Sequence, residues 1–142
     1  MVYKEKELGS HFSMCDDFKG MGIDIFDGTD YSLREQYSTD VKECRLYQYD
    51  SCRGLEGWCT VCMEFDELLA YKANIYRDSP SASLALESPE ERKQRFIYLW
   101  SLMPLTRPMD TLVITLKNPD SEVGRTLREI ADKYSDFVEW CV

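Results

Sequence analysis

Arg107 stands in "PLTRPMDTLVITL", between a helix-like run that stops near Pro104 and the most strand-like segment of the chain, "TLVITL". A loop between two such elements can present a guanidinium, whose planar fork can hold phosphate oxygens two at a time. The competing reading is an ordinary surface salt bridge, since most charged side chains are solvated. A second stretch, "YDSCRGLEGW" at residues 49–58, sets a charged, glycine-bearing loop between two apolar runs. Gly54 and Gly57 permit positive φ and close approach there. Trp58 reads as a core residue ahead of a stacking platform. Two further patterns carry less. "MEFDEL" puts Asp66 and Glu67 after an apolar run, like a magnesium-binding box, but no GxxxxGK[ST] loop precedes it, so the pair is read as a helix start. "CTVC" has CxxC spacing, which suggests a thiol oxidoreductase or half a zinc site. It lies in a strand-like run with no second pair, and His11 is isolated, so buried free thiols are expected.

These residues need elements to hold them. Leu8, Phe12, Cys15 and Phe18 share one face of an expected N-terminal helix, stopped by Gly20 and Gly22. "IDIF" reads as a short strand ended by the turn at Asp27 and Gly28, and residues 29–43 read as irregular or weakly helical. "CRLYQYD" and "CTVCMEF" read as strands of the short apolar type that parallel sheets bury. "DELLAYKANIY" reads as helix and "RDSPSASLALESP" as a surface loop. Ser88 can cap the next helix, with Pro89, Glu90 and Glu91 in its first turn. "DSEVGRTLREIADKY" is amphipathic, with Val123, Leu127, Ile130 and Tyr134 on one face, and "FVEWCV" reads as a last short strand. Helices alternating with apolar strands predict an α/β sheet covered on both faces, with its chemistry in loops at the carboxyl ends of strands. The loop after "RLYQY" occupies such a place.

The 142 residues suit one domain, 1–142, and 44% of them are hydrophobic, enough for a core. The formal net charge is −9, from 17 basic and 26 acidic residues, so the isolated domain should bind nucleic acid weakly. No run of about 18 apolar residues is present and the N-terminus lacks the apolar core of a signal peptide. The six cysteines form no small secreted framework, so a reducing, cytoplasmic location with no membrane is expected.

"YDSCRGLEGW" resembles motif V of the superfamily 1 helicases of the UvrD/Rep/PcrA type, and "PLTRPMDTLVITL" resembles their motif VI, whose core is Leu-Thr-Arg followed by an apolar strand. The two occur in the family's order, each followed by its strand, and the stretch from the start of the first to the end of the second spans roughly half of the chain. The resemblance implies a three-layer RecA-like domain with a mainly parallel sheet and no P-loop of its own: the second motor half of an ATP-dependent DNA or RNA helicase. It implies that Arg107 is an arginine finger and that Glu56, Gly54 and Thr106 contact nucleotide, Glu56 through the ribose hydroxyls. It implies that Ser51 and Arg53 face single-stranded nucleic acid or couple the two sites. ATP with Mg²⁺ would be bound mainly by the N-terminal RecA-like domain of the same polypeptide, and this chain alone would not hydrolyse it. The chain departs from the family before Leu-Thr-Arg. Its spacer is longer and Pro104 replaces a small residue, which predicts a less helical approach to Thr106 and leaves Glu90 and Glu91 as a helix start. The alternative reading is a non-enzymatic protein-interaction module derived from the helicase fold.

Overall fold

The computed structural model describes residues 14–33, 36, 38, 40, 42–78 and 87–141. The chain is α/β, and its described strands form two separate parallel pairs. Helix α1 (Met14–Gly20) leads to β1 (Ile25–Asp27), and β2 (Cys44–Leu46) pairs with β1 in parallel. A second unit follows: β3 (Gly57–Cys62), α2 (Phe65–Ile75), α3 (Pro89–Leu105), then β4 (Pro108–Ile114), which lies parallel to β3. Parallel neighbours require a crossover, and α2 with α3 supplies it. Helix α4 (Glu122–Lys133) closes the described fold.

The single sheet expected from the sequence is therefore replaced by two short pairs. The strand expected at "CRLYQYD" shortens to three residues, and that at "CTVCMEF" stops at Cys62 because Phe65 begins α2. "FVEWCV" is not a strand; residues 134–141 form turns and irregular chain. Nor are the strands covered on both faces. Residues paired in register share a face of the sheet. Cys62 is buried and its register partner Ile114 packs on the core, whereas Val61 and Val113 are paired and exposed, as are Cys59 and Thr111. The Leu8 and Phe12 positions of the expected N-terminal helix and the loop at residues 79–86 lie outside the described residues.

Local chemistry explains the helices. The Ser88 hydroxyl accepts from Glu91 N while the Glu91 carboxylate accepts from Ser88 N, a full capping box with Pro89 in the first turn. The helix that follows does not fray before Thr106 as expected. It runs through Pro104 to Leu105, although Pro104 has no N–H to donate to the Trp100 carbonyl; with only Leu105 beyond it, the break costs the helix little length. Ser121 caps α4 by accepting from Gly124 N at 3.1 Å. A Cβ on Gly124 would lie 2.1 Å from the Pro119 carbonyl oxygen, so this position admits only glycine. The expected face of α4 is half covered: Val123 packs on the core, while Ile130 and Tyr134 are exposed.

The core sits under β3 and β4. Tyr49, Cys52, Cys62, Phe65 and Leu68 are buried together, with Met103, Leu105 and Ile114 against them. The carboxyl ends of β3 and β4 are stitched by main-chain bonds. Thr115 N donates to Cys62 O and Phe65 N to Thr115 O, both at 2.9 Å. Glu64, with a left-handed φ of 49°, donates its N–H to Thr115 Oγ1 at 3.0 Å. Asp66 is buried, and its two oxygens accept from Lys117 N and Asn118 N at 2.9 Å each. Its carboxylate thus holds the chain leaving β4 to the start of α2, consistent with the reading of Asp66 and Glu67 as a helix start.

Candidate functional site

The opposite, amino end of β3 and β4 brings the two singled-out stretches together. Gly57 N donates to Arg107 O at 3.1 Å, joining the loop before β3 to the residue before β4. Gly57 and Pro108 then stand opposite each other as the strands begin. The loop is not an elbow between neighbouring strands, as its sequence position suggested, since β2 belongs to the other pair. It follows the carboxyl end of β2 and precedes the amino end of β3. The site therefore lies at the carboxyl-end position expected only with respect to β2.

The loop has an inner and an outer half. Residues Tyr49–Ser51 form a 3₁₀ turn, and Tyr49 is buried with its Oη donating to Met63 O at 2.7 Å. Burial raises the Tyr49 phenol far above its ordinary range. Cys52 is buried as well, its Sγ donating to Tyr49 O at 3.1 Å. Burial raises that thiol also; the positive charge of Arg107 opposes the rise without overcoming it. Beyond Cys52 the chain turns. Leu55 N donates to Cys52 O at 3.2 Å, and Gly54 at the third position has φ 79°, the arrangement of a type II turn. A side chain at Gly54 would meet open space, so the positive φ, not close approach, calls for glycine. Gly57 has no positive φ, which corrects that expectation. Ser51, Arg53, Gly54 and Glu56 are all exposed.

Asp50 ties the inner half to the crossover helices. Its Oδ1 lies 2.6 Å from Lys72 Nζ, and the Lys72 side chain is only 1% exposed. The ammonium also sits 3.4 Å from the centre of the Trp100 ring and 5.5 Å from that of Tyr71. Trp100 is held by Phe96, which packs in turn on Tyr76. One buried cation thus joins the loop, α2 and α3. Sequence reasoning missed it, because a lysine in "ELLAYKANIY" looks like any solvated helix charge.

Arg107 is half-buried and makes no ion pair among the described residues, so the surface salt bridge is excluded there. Its Nε donates to Met103 O at 3.0 Å, one Nη to Leu55 O at 3.3 Å, and the other to Thr106 Oγ1 at 3.0 Å. Thr106 caps α3 and donates its hydroxyl hydrogen to Leu102 O at 2.8 Å, so its oxygen is free to accept from Arg107. The guanidinium has five N–H donors. Three serve these bonds, holding the plane of the fork between the end of α3 and the loop.

Trp58, expected in the core, is 69% exposed. Cys59 is exposed and Cys62 buried, the result of an odd spacing along a strand, so "CTVC" does not gather its two thiols. Among the described residues no group of three or more His, Cys, Asp and Glu side chains could hold a metal ion, and His11 lies outside them. No described helix is long and apolar enough to cross a membrane. A hollow of about 500 Å³ lined by Ala131, Asp132, Ser135, Val138, Glu139 and Trp140 shares no residue with the loop. No protein-family model, curated protein or solved structure matches the chain.

Proposed function

We propose that this chain is the second RecA-like motor half of a superfamily 1 helicase or translocase of the UvrD/Rep/PcrA type, a three-layer α/β domain that works against a P-loop-bearing domain. One observation carries the reading. The Arg-Gly-Leu-Glu loop and the Leu-Thr-Arg arginine, about fifty residues apart in the chain, meet at one end of adjacent parallel strands, with Arg107 bonded to Leu55 O. In the proposed motor Arg107 meets the charge that develops on the γ-phosphate of ATP–Mg²⁺. Thr106 and the carbonyls of Met103 and Leu55 fix the plane of its fork beforehand. Glu56 accepts from the ribose hydroxyls, Gly54 gives the turn that carries it, and Ser51 and Arg53 face a single strand of nucleic acid. The P-loop and most of the Mg²⁺ site come from the other motor half.

The alternative, a non-enzymatic interaction module, draws on the exposed Val61 and Val113 of the outer sheet face and predicts no role for Arg107. Turnover separates the two. The purified chain alone should hydrolyse no ATP. In a polypeptide or mixture that adds a P-loop-bearing first motor half, nucleic-acid-stimulated hydrolysis should appear, and Arg107→Ala should lower it about 10³-fold or more. Arg107→Lys should rescue little, since an ammonium keeps the charge and loses the fork. Mg²⁺-dependent turnover by this chain alone, abolished by Arg107→Ala, would sink the proposal.

A further inference from the structure

Helix α3 and the loop before β3 are tied to each other at two points. Arg107 makes the outer tie, with Nε on Met103 O and one Nη on Leu55 O. Lys72 makes the inner tie from a third element, α2. Its ammonium meets Asp50 Oδ1 at 2.6 Å and lies against the Trp100 ring of α3, 3.4 Å from the ring centre. Trp100 and Met103 stand within one turn of α3. On the loop side, the type II turn that presents Leu55 O starts at Cys52, two residues after Asp50. The inner tie therefore holds both elements just where the outer one begins.

The residue type at position 72 is informative. A side chain only 1% exposed gives up the hydration of its ammonium, and a well-packed apolar residue often fills such a slot at equal or lower cost. A buried ion pair is thus weak ground for stability; its best-attested use is to fix register. Apolar packing alone would accept several positions of the loop. The ammonium accepts the one in which Asp50 and the Trp100 face both meet it.

We infer that Lys72 is a positioning residue for Arg107: by fixing Asp50 against α3 it sets the span from Leu55 O to Met103 O that the guanidinium bridges. The inference rests on the proposed function for its effect on turnover, and on the hydrogen bonds alone for its effect on Arg107. A charge that acts on a transition state must be placed closely, and an error of about 1 Å can cost about 10²-fold in rate. Lys72 touches no reacting group, so its whole effect passes through Arg107.

Two measurements test this. The first uses the 142-residue chain and needs no nucleotide. It follows by NMR the exchange with water of the Arg107 Nε–H, identified by its loss in Arg107→Lys. Lys72→Met should accelerate this exchange by a larger factor than that of Thr115 N–H, which is bonded to Cys62 O at the far end of the strands. A loss of stability alone would not single out Arg107. Asp50→Asn, which keeps an acceptor and removes the charge, should act in the same direction and serves if Lys72→Met does not fold. The second measurement adds the P-loop-bearing motor half. Lys72→Met should lower kcat and kcat/KM together, about ten-fold or more, and should lower neither further in an Arg107→Ala background. Equal losses in both backgrounds, or an Arg107 Nε–H accelerated no more than Thr115 N–H, would make Lys72 a stabilising residue only and overturn the inference. The exchange measurement decides by itself, so a motor that never turns over would count against the proposed function alone.

Discussion

The buried ammonium of Lys72 makes the two halves of its ion pair unequal. The Lys72 side chain is 1% exposed and the Asp50 side chain 39%. Removing one partner of a buried pair costs about 3–5 kcal/mol, because the remaining charge is left unpaired in a medium that does not solvate it. That describes Asp50→Ala, which strands Lys72 with the faces of Trp100 and Tyr71 as its only remaining aromatic support. Those faces soften the loss, so we expect about 3 kcal/mol. Lys72→Met keeps an unbranched apolar chain in the same slot and leaves a carboxylate that water already reaches. Its cost should resemble that of an exposed pair, about 1 kcal/mol.

The double variant Asp50→Ala/Lys72→Met should then be more stable than Asp50→Ala alone, with a coupling of about 2 kcal/mol or more. The assay is urea unfolding of the four proteins at neutral pH, with thermal melts beside it. Asp50→Ala should lower Tm by roughly 10 °C and the double variant by much less. Any separate interaction lost with the Asp50 side chain appears in both the single and the double variant and cancels in the cycle. Equal, additive losses from the two single variants would refute the reasoning: the ammonium would then be no more confined than the carboxylate.

Four other expectations concern the rest of the described fold. Asp66→Ala should cost about 3 kcal/mol, since its oxygens hold two backbone N–H groups at 2.9 Å, and Asp66→Asn, which keeps one acceptor, should cost about half; urea melts decide this. Cys44, Cys59 and Cys141 should react with a thiol reagent at mildly alkaline pH in the native protein while Cys52 and Cys62 stay protected until unfolding, as read by peptide mass mapping. Burial pushes the Cys62 thiol from an ordinary value near 9.0 up to about 11, so its contribution to stability should be intact below pH 9 and lost as pH rises through 11; Cys62→Ala should abolish that part of the alkaline loss measured by urea unfolding. Arg107→Ala should lower Tm by a few degrees, because Met103 O and Leu55 O lose a donor; an unchanged Tm would mean that water replaces the guanidinium at both carbonyls.

The features legible in the sequence are those written in local chemistry. The Ser88 cap, the stop of α1 at Gly20, the Ser121-capped helix α4 and a strand through "TLVI" each depend on residues a few positions apart, and each stands where local sequence puts it, though only the Val123 end of the expected α4 face packs on the core. The features that were hidden depend on contacts between distant residues. Nothing near Lys72 in the chain announces Asp50, twenty-two residues away, or the Trp100 ring. Trp58 reads as core because indoles are usually covered, yet it stands exposed at the amino end of β3. Arg107 joins the two kinds. Its place between helix and strand is visible in "LTRP", and its neighbourhood with Leu55 follows from two strands being parallel and adjacent, which no local pattern encodes. The same contact makes its structural role compatible with the proposed one. A guanidinium that spends three donors on Met103, Thr106 and Leu55 keeps two N–H groups beyond those bonds, from five in all. In the proposed motor an arginine held in that way is oriented before the phosphate binds, so less side-chain freedom is lost on binding than for an arginine extended into water. Preorganisation by the chain's own carbonyls is therefore the physical reason to expect Arg107→Lys to fail as a substitute: the three N–H groups of lysine radiate from a single nitrogen, with no planar fork to reach Met103 O and Leu55 O and still offer paired donors to a phosphate.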